Sequence, residues 1–264
     1  WLGDTKAESA RFESLLKAFS ESAVHGLPSQ KFNMGALLSA MLAAKTDSSR
    51  GSLDVELTIE FLRYARAVHS GVLVPSAVDE EIVRKVAYQE TNKVLQELKT
   101  SNAEVFFKSL PPQSFEYARL LKEKQRLEQT VASGGWGGAV MVPMLKPGLK
   151  GAAVVALRNR LVIMGYLRRT FSGVYDDALE NAVREFQTAN GLFATGIANV
   201  ITIEQINRSV AERLISVLVA MERERWLNQE LGDRHILVNL ADFSARIVDR
   251  GKVTFQTNSV IGAD

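Results

Sequence analysis

Apolar residues recur at helical spacing from the start of the chain. Phe12, Leu15, Leu16 and Phe19 follow the i, i+3, i+4, i+7 rule, and Met34, Leu37, Leu38, Met41 and Leu42 repeat it after the Gly26-Leu27-Pro28 break. Each predicts an amphipathic helix. A third stripe, Leu57, Phe61, Ala65 and Val68, predicts a helix over 53–69 that stops at Ser70-Gly71, with Pro75 beyond. Asn102 is a good N-cap for a helix over 102–109, and Pro112 fits the first turn of one over 112–131, whose run LKEKQRLEQ reads as a solvated face. Residues 77–99 read as mixed helix and loop.

The pattern then changes. SGGWGGAVMVPMLKPGLKG, residues 133–151, is rich in Gly and Pro and predicts a linker packed down by Trp136. Beyond it, Val154, Leu157, Leu161 and Met164 form a helical stripe ending at Gly165. Leu179, Ala182, Val183 and Phe186 form a second, opened by Asp177 with Glu180 three residues on and stopped by Gly191. Thr202-Ile203-Glu204-Gln205 reads as a capping box opening a third helix, which makes a three-helix domain of about sixty residues with one core. Ser209 with Glu212 caps a longer helix whose stripe is Val210, Leu214, Val217 and Met221, ending near Trp226 and Gly232.

At the end of the chain the period falls to two. Ile236, Val238 and Leu240 share one strand face, as do Val253, Phe255 and Thr257, and Asp249-Arg250-Gly251-Lys252 predicts a tight hairpin. So short a sheet is marginal alone. We therefore expect a mainly α chain: a helical domain over 1–132, a linker over 133–147, a three-helix domain over 148–208, a connecting helix over 209–232, and over 233–264 the first strands of a β-rich domain cut short. Because the first residue is Trp1, a signal or anchor is expected upstream.

Composition narrows the chemistry. The 264 residues carry 32 basic against 30 acidic side chains, a net charge of +2, which disfavours nucleic acid as a partner. No apolar run reaches membrane-spanning length, so a membrane enters only through that unseen N-terminal signal or anchor. The absence of Cys removes disulfides, thiolate metal sites and a Cys nucleophile. His25, His69 and His235 have no metal-ligand spacing, and GGWGG at 134–138 lacks a phosphate-loop pattern, so no cofactor or metal is expected.

Two resemblances give these elements a function. LKPGLKGAAVVALRNRLVIMGYL, then YDDALENAVREFQTANGL and TGIANVITIEQIN, resemble the three-helix peptidoglycan-binding domain of bacterial wall enzymes. The matching residues are Gly148, Gly151, Leu157, Leu161, Gly165-Tyr166, Ala182-Val183, Phe186-Gln187, Gly191-Leu192, Gly196 and Thr202. The chain departs from that pattern at Ala194-Thr195 and Ala198-Asn199. MERERWLNQELGDRHILVNLADFSARIVDRGKVTFQTNSVIG is similar to the opening of the YkuD-type L,D-transpeptidase domain, through Arg225-Trp226, Leu231-Gly232, residues 238–243 and residues 251–262. The Gly134-Gly135-Trp136 run also sits where relatives with an N-terminal helical scaffold domain carry it.

The second resemblance implies a parent enzyme in which a Cys thiolate, activated by His, acylates on the third residue of a peptidoglycan tetrapeptide stem and expels D-Ala. A neighbouring amine then forms the cross-link. Without Cys, and without the family's His and Cys motifs, this segment has no catalytic residues and is expected to be inactive; His235 does not match the family's His. What it retains is binding to peptidoglycan, both glycan strands and stem peptides, outside the cytoplasmic membrane in the periplasm or wall. Tyr166, Arg168, Tyr175, Arg184, Gln187 and Asn190 are the candidate contacts, being polar or amphipathic and close to the inter-helix loops. The alternatives are a non-enzymatic peptidoglycan-binding or scaffold protein and a wall hydrolase; the strand pattern after Asn207 argues against the hydrolase.

Overall fold

A computed structural model describes residues 1–28, 30, 32, 34–229, 231–239 and 243–260. Among these residues the chain is mainly helical, with eleven helices and one small antiparallel sheet at the C-terminal end. The fold divides into two compact units, one formed by 1–129 with 214–229, the other by 130–213 with 230–264.

In the first unit, α1 (Lys6–Ser20) is opened by a capping box, Thr5 accepting the Glu8 backbone N–H while the Glu8 carboxylate accepts that of Thr5. The helix α2 (Met34–Ala43) forms where predicted, but of its stripe only Leu37 is buried while Leu38 and Leu42 are exposed; α3 (Asp47–Ser70) follows its predicted stripe, although it starts a turn and a half early because Thr46 caps it. The short α4 (Pro75–Val78) precedes α5 (Thr91–Thr100), so the ambiguous 77–99 stretch is irregular over 79–90 and helical from Thr91, with Val94 and Leu98 buried. The helix α6 (Ala103–Ser109) is capped by Asn102, as its sequence predicts. By contrast, α7 (Phe115–Ala132) begins three residues after Pro112: Ser114, not Pro112, meets the first turn by accepting the Tyr117 N–H.

The core of this unit gathers Leu15, Phe19, Leu57, Phe61, Val68 and Phe107 with their neighbours. Phe61 stands near the centre, its ring 5.7 Å from that of Phe107 and 6.0 Å from that of Phe106. Sequence reading treats 209–232 as a connector. In the structure, the C-terminal part of α11 (Val210–Trp226) is built into this unit, with Met221, Glu222, Arg225 and Trp226 buried. Gly71 makes room for it. At φ +92°, a Cβ there would lie 2.5 Å from Glu222 Oε1 and 2.9 Å from Trp226 Nε1, so a side chain would collide with the packed helix.

The second unit contains α8 (Ala152–Met164), α9 (Asp177–Ala189) and α10 (Val200–Asn207), and, as a separate element, the sheet. Two predicted caps move. Asp176, not Asp177, accepts the Leu179 N–H and opens α9, and Asn199 accepts the Thr202 N–H and opens α10, so Thr202 lies inside the helix instead of starting it. Ser209 and Glu212 form the predicted reciprocal pair at the start of α11.

The segment read as a linker is part of the packing. Trp136, Val140 and Leu145 are buried, Asn207 exchanges two hydrogen bonds with the Val140 backbone, and Leu145 pairs with Ala198.

The sheet runs β1 (Arg234–Asn239), β2 (Ser244–Asp249), β3 (Lys252–Asn258), all antiparallel. Arg250 and Gly251 both take positive φ (48° and 75°), the paired left-handed geometry of a two-residue hairpin turn at the predicted place. Ile236, Ile247 and Phe255 stand in register across the three strands, with Ile236 and Phe255 exposed. Leu240 and residues 241, 242, 261 and 262, on which parts of the strand reading fell, lie outside the described residues.

Candidate functional site in the three-helix unit

The three short helices pack Leu157, Leu161, Leu179, Val183, Phe186 and Ile206 into an apolar core, and buried polar groups hold the loops around it. Arg158 on α8 is 1% exposed. Its guanidinium donates to Thr170 Oγ1 (2.9 Å), the Val174 carbonyl (2.7 Å) and Asp176 Oδ1 (2.8 Å), which fixes the loop between α8 and α9 against the helix. The same Asp176 oxygen caps α9, and its hydrogen bond to Arg158 keeps this carboxyl below the usual carboxylate range despite some desolvation. Arg160 does the equivalent work at the other side, donating to the Ile206 carbonyl and to those of Gly137 and Gly138.

Gln187 on α9 plays this part for the loop 191–199. It is 1% exposed. Its amide nitrogen donates to the Ile197 carbonyl (2.9 Å) and Thr202 Oγ1 (3.0 Å), while its oxygen accepts the Gly196 N–H (2.9 Å). Tyr175 closes the same loop: its ring is buried and its hydroxyl donates to the Gly196 carbonyl at 2.8 Å. Burial raises the Tyr175 pKa, so it stays a neutral donor.

These positions sort the six sequence candidates. Tyr175 and Gln187 are buried, and their polar atoms face inward and brace the loop 191–199. Asn190 is half-buried, donating to the Phe186 carbonyl and accepting from Arg213. Tyr166 lies edge-on to the buried Phe186 ring at 5.3 Å. Arg184 is half-buried, paired with Glu180 and bonded to the Ala194 carbonyl. Arg168 is exposed on the α8–α9 loop with Arg169.

Sequence reading passed over the two most accessible aromatic rings. Phe171, three residues from Arg168 on that loop, is 101% exposed, and Phe193 on the α9–α10 loop is 93% exposed. Each is a lone aromatic outside any apolar periodicity, Phe171 between Thr170 and Ser172 and Phe193 between Leu192 and Ala194, and the sequence alone does not tell an open ring from a buried one. A loop that exposes a guanidinium, with no ion pair among the described residues, beside an exposed ring suits a ligand that offers both carboxylates and the C–H faces of sugars.

Residues 150–206 match the family described as "Putative peptidoglycan binding domain". Residues 1–123 match the family described as "Scaffold domain". No curated protein matches the chain. The match over 150–206 takes in α8, α9, nearly all of α10 and the loops between them, so this part of the chain is similar to peptidoglycan-binding domains and residues 1–123 are similar to scaffold domains. Among the described residues there is no cluster of His, Asp and Glu able to hold a metal, and no helix long and apolar enough to cross a membrane.

Proposed function

We propose that this chain is the wall-attaching, non-catalytic portion of a bacterial L,D-transpeptidase. In this reading residues 150–206 hold peptidoglycan outside the cytoplasmic membrane, and the sheet β1–β3 opens the catalytic domain. The match of 150–206 to a peptidoglycan-binding family is the observation that carries the reading. The exposed Arg168, Phe171 and Phe193 support it, because they present a cation and two open rings next to loops that Arg158, Tyr175 and Gln187 hold rigid. The exposed apolar residues of the sheet, Ile236 and Phe255 among them, support its belonging to a larger β structure that would cover them.

The parent chemistry is acyl transfer through a Cys thioester, and this chain, with no Cys, does not itself supply the nucleophile. That absence favours one second reading, a non-enzymatic wall-binding or scaffold protein. Two measurements separate the possibilities. Co-sedimentation of the 264-residue chain with purified sacculi tests wall binding, and its loss would remove the wall-attaching reading and leave a scaffold protein that docks a protein partner. The coding sequence beyond codon 264 tests parentage: a His followed by a Ser-x-Gly-Cys segment supports the transpeptidase, and a continuation lacking Cys leaves the binding protein.

A further inference from the structure

Helix α2 has no charged side chain, and the sequence holds none from Phe32 to Ala44. A helix that is apolar all round ordinarily lies buried. Here only Leu37 is buried against the first unit, while Leu38 is 40% and Leu42 73% exposed, with Gly35, Ala36 and Ala43 also open to solvent. Gly35, Leu38, Ser39 and Leu42, three and four residues apart, share the outer face. Its polar side chain, Ser39, donates its hydroxyl to the Gly35 carbonyl one turn back at 2.9 Å. The face therefore presents no free side-chain donor. Protein interfaces carry about one hydrogen bond per 100–200 Å², whereas a surface whose polar groups are satisfied internally is what hydrocarbon requires.

The apolar surface continues beyond α2. Phe32, two residues before it, lines a cleft of about 430 Å³ with Ala67 and the half-exposed Leu73 and Val74. Cations border this surface. Over 31–50 the chain carries Lys31, Lys45 and Arg50 against Asp47 alone. Lys45 is exposed at the end of α2. At the cleft edge Glu60 and Arg63 pair with each other, while Arg66 has no carboxylate partner among the described residues and rests 4.4 Å over the Tyr88 ring. A second copy of the chain fits this border poorly, because the helix has like charges at both of its ends in the sequence, so parallel and antiparallel pairs alike would bring lysines together. A helix of ten residues, about 15 Å long, also covers less than the roughly 800 Å² per partner of a standard interface. That length is about half of what crossing a bilayer takes, and it suits a helix lying in the headgroup layer, where apolar side chains point inward and lysines reach anionic lipid.

We propose that α2 and the adjoining cleft edge form a lipid-docking surface, by which the first unit lies on an anionic phospholipid bilayer without crossing it. Leu38 and Leu42 enter the boundary between headgroups and acyl chains, and Lys45 and Arg66 meet the headgroup phosphates. The contact is made by the chain itself, separately from any anchor upstream. It stands on the first unit alone and does not depend on what 150–206 bind.

The test is flotation of the full 264-residue chain with vesicles of phosphatidylglycerol and phosphatidylcholine in equal parts, and with vesicles of phosphatidylcholine alone. The acidic vesicles should hold the chain about tenfold more tightly, and less so as salt is raised. Leu38→Gln combined with Leu42→Gln, both at exposed positions, should weaken this binding about tenfold or more without moving the unfolding midpoint. Lys45→Gln combined with Arg66→Gln should weaken it about fivefold or more and remove the preference for acidic lipid. Because the chain has no Cys, Leu42→Cys gives one attachment point for an environment-sensitive dye. Its emission should shift to the blue on acidic vesicles, and the same dye at Lys93→Cys on α5 should not shift. No retention at millimolar acidic lipid, wild-type retention in the double leucine variant, or a dye at position 42 that stays in water on bound vesicles would each overturn the proposal. A dimer in sedimentation velocity that dissociates in the double leucine variant would overturn it by giving the face to a second copy. Sacculus co-sedimentation should be unchanged in that variant. If sacculi are not retained but acidic vesicles are, the lipid surface stands and the wall-binding reading falls.

Discussion

Arg225 Nη1 donates to Glu222 Oε2 at 2.8 Å, one turn apart on α11, with both side chains buried. Glu222 also accepts from the Leu73 N–H and Trp226 Nε1, and Arg225 also donates to the His25 carbonyl and the Tyr117 hydroxyl. The pair is thus the point where a helix from late in the chain is fastened to loops 25–27 and 71–74. Replacing Arg225 by Met leaves the Glu222 carboxylate buried without its cation. Removing one partner of such a pair costs about 3–5 kcal/mol. We expect Arg225→Met to lower the first unit's stability by about that much in chemical denaturation. The double variant with Glu222→Gln should recover part of the loss, because the neutral amide still accepts the two N–H groups. Additive losses would show that the two side chains act independently.

His25 stacks near Tyr117, with Nδ1 3.2 Å from its hydroxyl. Burial, followed by the positive charges of Arg225 and Lys124, pushes its pKa down to about 4. The sign follows from proton binding. Between the unfolded value near 6.5 and the folded value, the unfolded chain holds the extra proton, so stability is full above pH 6.5 and falls as pH drops towards 4. After allowance for the ring's partial exposure, the loss should be on the order of 1–3 kcal/mol. Glu224, raised by burial, acts oppositely just above its ordinary range, so the clean measurement is the difference between wild type and His25→Gln. The variant's midpoint should lose the portion of pH dependence between 6.5 and 4; identical slopes would show that His25 is not the titrating group.

The apolar stripes of α1, α3, α8, α9 and α11 and the hairpin at Arg250-Gly251 were legible because periodicity and turn residues are local signals, whereas on α2 the same periodicity leaves Leu38 and Leu42 exposed. The caps were harder. Asp176 and Asp177 are chemically alike, and only the hydrogen bond to Arg158 from the preceding helix makes Asp176 the better placed. Thr202 looked like a cap because Glu204-Gln205 follow it, yet Asn199 is nearer the point where the chain leaves its pairing with Leu145. The incorporation of Leu214–Gln229 into the first unit left no local trace, since it depends on Glu222 and Arg225 meeting residues well over a hundred positions away. Among the candidate contacts, polarity selected Tyr175 and Gln187, whose polar atoms the fold uses internally, while the exposed Phe171 and Phe193 carried no polar signal to draw attention. A free ring in a braced loop is visible only when its neighbours are in place.

Gln187 offers a test of that framework role. Changing it to Glu keeps the shape and the acceptor for the Gly196 N–H but sets a carboxylate oxygen against the Ile197 carbonyl and removes the donor to Thr202. A buried, unpaired charge of this kind costs about 3 kcal/mol or more. Thermal unfolding of the second unit should fall accordingly, while at low temperature, with the fold intact, retention on sacculi should change by less than twofold. Full stability with lost retention would make Gln187 a ligand contact after all.

Arg168 and Phe171 should contribute to wall binding in different ways that salt separates. The guanidinium of Arg168 is exposed, so its attraction to stem carboxylates is screened within roughly 8–10 Å at physiological salt, and its contribution should shrink further as salt is raised. The Phe171 ring acts by covering apolar C–H surface, which salt leaves in place; such a contact is worth about 1–2 kcal/mol, or close to tenfold in affinity. In sacculus co-sedimentation, Phe171→Ala should therefore reduce affinity about tenfold at both 50 mM and 500 mM salt. Arg168→Gln should reduce it about threefold at the lower salt and negligibly at the higher. Neither substitution should move the unfolding midpoint, because neither side chain is packed. If both variants bind as wild type, the contact surface lies elsewhere on the unit, and Phe193→Ala, on the other exposed loop, becomes the decisive variant.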